Sequence, residues 1–355
     1  MVQRYKYETT KSVFRWIRLV LSYFFFGLIV ICLINYQTSI YLLFQAKGQL
    51  SILINTQSIS SYQQNNILEP QEKDNILFIE KIKAYSIDSL GYLPTKNFTT
   101  IYNQKHAPVL WVIAACEPYE FKAYEWTFPV IGKVSYKGFF KEELAKKEYN
   151  HLIANGYDVD LRSVSAWSTL GWFNDPLLSS MLNRRIGGLC NLLFHELFHA
   201  TYYAPNAVNF NENIASFIAH KATLQFLKND STELNFYINN FSDNAIYARY
   251  MIRKTNFLSS YYPTILNKEN RFILKLKMLK QIADSVNYLP LKYKPKFLAK
   301  NEDIFKNKNA YFVDFEQYDS MQDSIELVFN KIYKGNLKKL VQDLKQDKTI
   351  IKFDN

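Results

Sequence analysis

The pattern of apolar positions changes character along the chain, and each change predicts a different kind of element. From Leu19 to Ala46 no charge interrupts a run of 28 residues, whose heart is LVLSYFFFGLIVICLI at Leu19 to Ile34. A run of that length spans a hydrocarbon core, which takes about 20 helical residues. Between residues 40 and 95 apolar residues return at helical spacing, as in Leu50, Ile52 and Leu53, then Ile76, Phe78, Ile79 and Ile82. The polar stretch Gln63 to Asp74, with Pro70, predicts a loop between two such helices.

From Thr99 to Phe140 the period shortens. VLWVIAA (Val109 to Ala115) and PVIGKVSYKGFF (Pro129 to Phe140) are β-branched and aromatic, and predict strands of an antiparallel sheet. A helix follows at Glu142 to Ala154, ended by Gly156, and then a strand at Val159 to Thr169. The turn GWFNDP (Gly171 to Pro176) leads to a helix from about Leu182, and beyond Asn229 the pattern is helical almost to the end. With no repeat and no low-complexity linker, the economical reading is one α+β domain over residues 41–355.

Composition changes this picture little. Apolar residues make up 48% and aromatic ones 16%, enough for a sizeable core and incompatible with a disordered chain. The excess of 43 basic over 32 acidic residues, +11, comes from scattered lysines such as Lys268, Lys275, Lys277, Lys280, Lys338, Lys339, Lys345 and Lys348. No recognition motif accompanies them, so no nucleic-acid partner is expected; an anionic membrane surface suits the charge better. Three cysteines, Cys32, Cys116 and Cys190, form no Cys-x-x-Cys pair. Only Cys116 and Cys190 are placed to form an internal disulfide, and nothing in the sequence requires it.

The apolar run is preceded by Arg4, Lys6, Lys11, Arg15 and Arg18 against Glu8. The positive-inside rule keeps such an N-terminus in the cytoplasm and sends the rest across the membrane. The expected organisation is a cytoplasmic basic tail at 1–15, a single-pass anchor at 16–40 in the cell inner membrane, and a periplasmic or extracellular domain beyond it. No small residues follow Ile34 at a signal-peptide cut site. A lipoprotein attached through Cys32 is the alternative, although Ile31 stands where a small side chain is expected.

Candidate chemistry lies in GGLCNLLFHELFHATYY, Gly187 to Tyr203, which contains the H-E-x-x-H motif HELFH. His195 and His199 are four apart, so one helical face presents both imidazoles to one ion. Glu196 projects beside them, free to take a proton from a water that zinc has acidified. The plain alternative is two histidines satisfied on a half-buried helix. Thirteen residues on, NFNENIASFIAHKATLQFL opens a second amphipathic helix with Glu212 in its first turn. A carboxylate there supplies a third protein ligand and leaves zinc's fourth position open; the plain reading is an acidic residue favoured by the helix dipole. Tyr203, four beyond His199, is a candidate donor to an oxyanion, set against an ordinary rim tyrosine in a chain with 26. His220 is a weaker candidate of the same kind.

At these motifs the chain resembles the bacterial zinc-aminopeptidase family. The likeness runs through YLLFQAKGQLSIL (Tyr41 to Leu53), WTFPVIGKVSYKGFF (Trp126 to Phe140), Gly156 to Asp158, SAWSTLGWFNDPLL (Ser165 to Leu178), FHELFH (Phe194 to His199) and FNENIASF (Phe210 to Phe217). It covers residues 41–227, and the helical part at 228–355 matches weakly. The resemblance implies that His195, His199 and Glu212 bind zinc and that Glu196 is the catalytic base. The chain departs from it at Trp167 (usually Tyr), Phe198 and Ala200 (Ala and Gln), Asn213 (Ser), and Thr127 and Lys133, where relatives often carry cysteines. None of these removes a ligand or the base.

The resulting expectation is a membrane-anchored, zincin-like zinc metallopeptidase acting on peptides, with an antiparallel sheet, an H-E-x-x-H helix and a mostly helical C-terminal part. The strand Val159 to Ser168 is the candidate to hold substrate backbone, and Trp167 to Pro176 a candidate cleft wall. Glu117, Glu120 and Asp175 are carboxylates available to a free amine. The rival is a non-enzymatic envelope protein whose metal site is structural or binds a partner.

Overall fold

Short local signals set the first elements. The computed structural model describes residues 16–23, 26, 30, 33–128, 132–164, 174–205, 207–319 and 321–346. The chain divides into two compact units, residues 1–52 and 53–355. In the first unit, the basic tail at 1–15 lies outside the described residues, as do 24–25, 27–29 and 31–32 of the expected anchor. Among the described residues no helix is long and apolar enough to cross a membrane. The apolar side chains described there, including Trp16, Tyr23, Phe26, Leu33 and Ile34, are exposed.

The elements run α1 (Tyr36–Ile54), β1 (Thr56–Ser58), α2 (Ile59–Asn65), α3 (Pro70–Asp88), β2 (Thr100–Tyr102), β3 (Leu110–Cys116), β4 (Trp126–Phe128), β5 (Gly132–Val134) and β6 (Tyr136–Phe139). Then come α4 (Glu142–Ala154), β7 (Asp158–Val164), β8 (Leu177–Leu178), a 3-10 turn at Ser179–Asn183, α5 (Ile186–His199) and α6 (Val208–Phe226). The remainder is helical: α7 (Ser231–Ile265), α8 (Arg271–Ser285), α9 (Lys294–Leu298), α10 (Asn301–Asn307), α11 (Asn309–Asp319), α12 (Gln322–Tyr333) and α13 (Leu337–Lys345).

Pro70 does not sit in a loop, as its polar surroundings suggest. It opens α3, where its missing N–H costs nothing, behind a capping box in which Glu69 and Glu72 serve each other's backbone. Residues 56–58, expected to be helical, instead form β1. The helix at 142–154 is as expected, and Gly156, at φ +86°, makes the left-handed turn that ends it.

The principal sheet has the order β6-β3-β7 and is antiparallel throughout, with Trp111 opposite Phe139 and Cys116 opposite Asp158. The β4-β5 hairpin sets Thr127 opposite Lys133. A third sheet, β1-β2-β8, contains a parallel pair that the pattern did not foretell, because β8 is only two residues long. Among the described residues β7 lies at the edge of this sheet and is seen as far as Val164; its expected continuation to Thr169, with Trp167, lies outside the described residues. Cys116 and Cys190 are both buried and free, and burial pushes the Cys116 thiol up to about 12 and Cys190 higher still.

Candidate metal centre

Helix α5 owes its place to two parallel apolar rows. Leu189, Leu193 and Leu197 form one, Cys190, Phe194 and Phe198 the other, and all six are buried. Gly187 allows α5 to approach α7, since a Cβ there would stand 2.9 Å from the Tyr237 Cβ. The hydroxyl of Tyr92 donates to the Phe194 carbonyl, and Thr201 beyond the helix end accepts from the Leu93 amide. With its apolar rows anchored in this way, α5 has one remaining face for His195 and His199.

Helix α6 packs against α5 and is tied to the intervening loop by Asn211. This buried side chain accepts from the Ala204 N–H at 2.8 Å and donates to the Ala204 carbonyl at 2.7 Å. Glu212, the next residue, therefore faces the histidines. It sits in the second turn of α6, which begins at Val208, and not in the first turn as its sequence neighbours suggest. A dipole preference confined to the first turn does not account for it.

The three side chains converge. His195 Nε2 lies 3.0 Å from His199 Nε2 and 3.3 Å from one Glu212 oxygen; the other oxygen is 3.5 Å from His199 Nε2. No other group of three or more His, Cys, Asp or Glu side chains among the described residues could share an ion. Zinc with ligands about 2.0–2.1 Å away in a tetrahedron holds neighbouring ligand atoms roughly 3.4 Å apart. The donor set and its spacing fit that ion.

The three side chains also set one another's charge. Burial would raise the Glu212 carboxyl, but hydrogen bonds and charge from His195 and His199 hold it down at about 2. Burial would lower His195, yet its hydrogen bond to the Glu212 carboxylate and the charges of Glu196 and Glu212 leave it raised. Ser216 Oγ stands 3.4 Å from His195 Nδ1, where it orients the ring. His199 is 4% exposed, and its Nδ1 is a buried nitrogen with no hydrogen-bond partner among the described residues. Glu196 is half-buried beside His195 and contributes to its charge balance.

Other candidates fall differently. Tyr203 lies past the end of α5, so it does not continue a helical face; its ring is still 6.4 Å from that of His199 and it is 37% exposed. His220 is not near the cluster's chemistry: it stacks on Phe241 at 3.6 Å and hydrogen-bonds the Tyr237 hydroxyl at 3.0 Å. Glu117 and Glu120 follow β3, where Cys116 donates to the Glu120 carbonyl. Asp175 is buried, and its backbone pairs with Asn97 and Phe98. The ligand triad includes none of these three carboxylates.

Sequence reasoning missed Tyr136 on β6. The residue is 49% exposed, yet desolvation by the surrounding protein, then the charges of Glu212 and Tyr203, push its phenol up. One tyrosine among 26, inside a strand pattern, carried no signal that could have singled it out.

An α+β domain presenting a carboxylate and two imidazoles from adjacent helices belongs among proteins with a candidate metal centre. The chain belongs to the family described as "Putative aminopeptidase", whose model matches residues 40–351. That match runs well past residue 227 into the C-terminal helices. Neither the curated proteins nor the solved structures compared with the chain contain a match.

Proposed function

We propose that the protein is a membrane-anchored zinc metallopeptidase with a zincin-like catalytic domain, acting as an aminopeptidase. The observation that carries this reading is the mutual spacing of the three donors, 3.0, 3.3 and 3.5 Å, on two packed helices. Family membership supports the peptidase assignment. Anchoring is supported by the 28-residue uncharged run and its basic flank.

In this reading His195, His199 and Glu212 hold zinc, which supplies Lewis-acid polarisation of a carbonyl and acidification of water. Glu196 takes the proton from the attacking water and passes it to the leaving amine. The Tyr203 phenol donates to the carbonyl oxygen as negative charge develops there. Ser216 keeps the His195 ring oriented.

The test is digestion of a mixed peptide library by the full chain in detergent with zinc, beside a Glu196→Gln control, read by mass spectrometry. We expect N-terminal trimming by wild type, and a loss of about 10²–10⁴-fold in the control with zinc content unchanged. Internal cuts would remove the aminopeptidase label and keep the peptidase. Zinc binding with equal inertness of both proteins would favour a non-enzymatic envelope protein.

A further inference from the structure

Glu212 lies between two buried asparagines, and each grips a different part of the molecule. Asn211 holds the loop from α5. Asn213, wholly buried, donates back to Asn209, to its carbonyl at 2.9 Å and to its Oδ1 at 2.8 Å. That leaves the oxygens of Asn213 facing α12. Gln322, the first residue of α12, donates its Nε2 to the Asn213 carbonyl at 3.1 Å and to Oδ1 at 3.2 Å. The Met321 N–H approaches the same Oδ1 at 3.4 Å.

The contact continues along one stripe of α6. Phe217 meets Phe329 edge-on at 5.3 Å between centroids, and Lys221 pairs with Glu326 at 2.7 Å. Positions 213, 217 and 221 are successive turns of one helix face. Helix α12 is therefore a rail along α6, and beside Glu212 the Gln322 side chain grips Asn213 with two hydrogen bonds, joined by the longer one from the Met321 N–H.

A metal ligand must be held within about 0.5 Å and 10–20° of its productive geometry. Rotation of α6 about its axis moves the Glu212 carboxylate relative to two imidazoles fixed on α5. Packing of Phe217 on Phe329 resists separation of the helices but is tolerant of a small roll. A forked hydrogen bond at the residue next to Glu212 is not.

We propose that Gln322 is a positioning residue for Glu212, which makes the C-terminal helix α12 a part of the metal centre. The inference rests on the zinc reading given above. It assigns the C-terminal helices a role in ligand geometry that the H-E-x-x-H motif does not supply.

The experiment measures zinc affinity of the full chain in detergent by competition with a fluorescent chelator, beside Tm without metal. Gln322→Met keeps the side chain's length and removes its donors. We expect it to lose affinity on the order of 10-fold, as for other residues that orient ligands, with little change in metal-free Tm. Gln322→Lys restores a donor and should recover most of that loss. Glu326→Gln, which weakens the rail away from Glu212, should lower Tm slightly and leave affinity near wild type. Unchanged affinity in Gln322→Met overturns the inference. So does a loss that Glu326→Gln reproduces in step with Tm, since that is general packing. If Gln322→Met fails to fold, Gln322→Lys against Gln322→Glu, donor against acceptor, decides between the same outcomes. Absence of zinc binding by wild type would instead overturn the metallopeptidase reading, and the positioning role with it.

Discussion

His220 shows how one buried residue can register acidity in the fold. Burial first, and then the Lys221 charge, pull its pKa down to about 4, with Glu326 opposing. It is neutral against the Tyr237 hydroxyl and the Phe241 ring at ordinary pH. The folded value lies below the unfolded one, about 6.5, so the unfolded chain binds the extra proton first. The stability tied to the neutral ring is therefore complete above about pH 6.5 and is lost as pH falls towards 4. The loss is on the order of 3 kcal/mol for a shift of that size. Urea unfolding of wild type and His220→Gln at pH 7 and pH 4.5 should show a smaller acid loss in the variant. Equal losses would remove His220 from the account. Sequence inspection placed this histidine near the chemistry because it follows Glu212 on one helix; its partners come from α7, which spacing along α6 does not reveal.

At the scale of elements, a buried ion pair joins the sheet to the C-terminal helices. Lys275 of α8 donates to Asp158, the first residue of β7, and to the Pro118 carbonyl. The Asn309 N–H adds a bond to the same Asp158 oxygen at 3.0 Å. Burial raises the Asp158 carboxyl and lowers the Lys275 amine, while the attraction between them opposes both shifts. Removing one partner of such a pair costs about 3–5 kcal/mol, because the other charge is left buried alone. Lys275→Met should show that loss in urea unfolding, and Asp158→Asn with Lys275→Met should recover much of it. A single-variant cost near zero would mean that water reaches Asp158. In the sequence Lys275 is only one of the scattered lysines behind the net charge. Periodicity marks which helical face is polar, but not whether an acidic strand residue waits beneath it.

For the whole molecule, the proposed site links metal to stability. With free zinc at about 100 times its Kd, mass action contributes about 2.7 kcal/mol, which for a chain of this size raises Tm by roughly 5 °C. A thermal scan with zinc and then with chelator should show the rise and its reversal, and His195→Ala should abolish both. A rise that survives His195→Ala would place the ion elsewhere.

Local rules made much of the protein legible in its sequence. The strands β3 and β7, helix α4, and the His195–Glu196–His199 face follow from periods of 2 and 3.6 and from a spacing of four, which a single helix converts directly into geometry. The helical character of the last third was legible for the same reason. Tertiary packing decided the rest. The short β1 and β8 exist only because they pair with β2. Glu212 joins the histidines only through the packing of α6 on α5, and Tyr136 and Gln322 reach their places from separate elements. Gln322 and Asn213 are 109 residues apart, and no periodicity couples positions so distant. A local pattern reports which face an element buries; which distant face it meets is settled by the closing of the core.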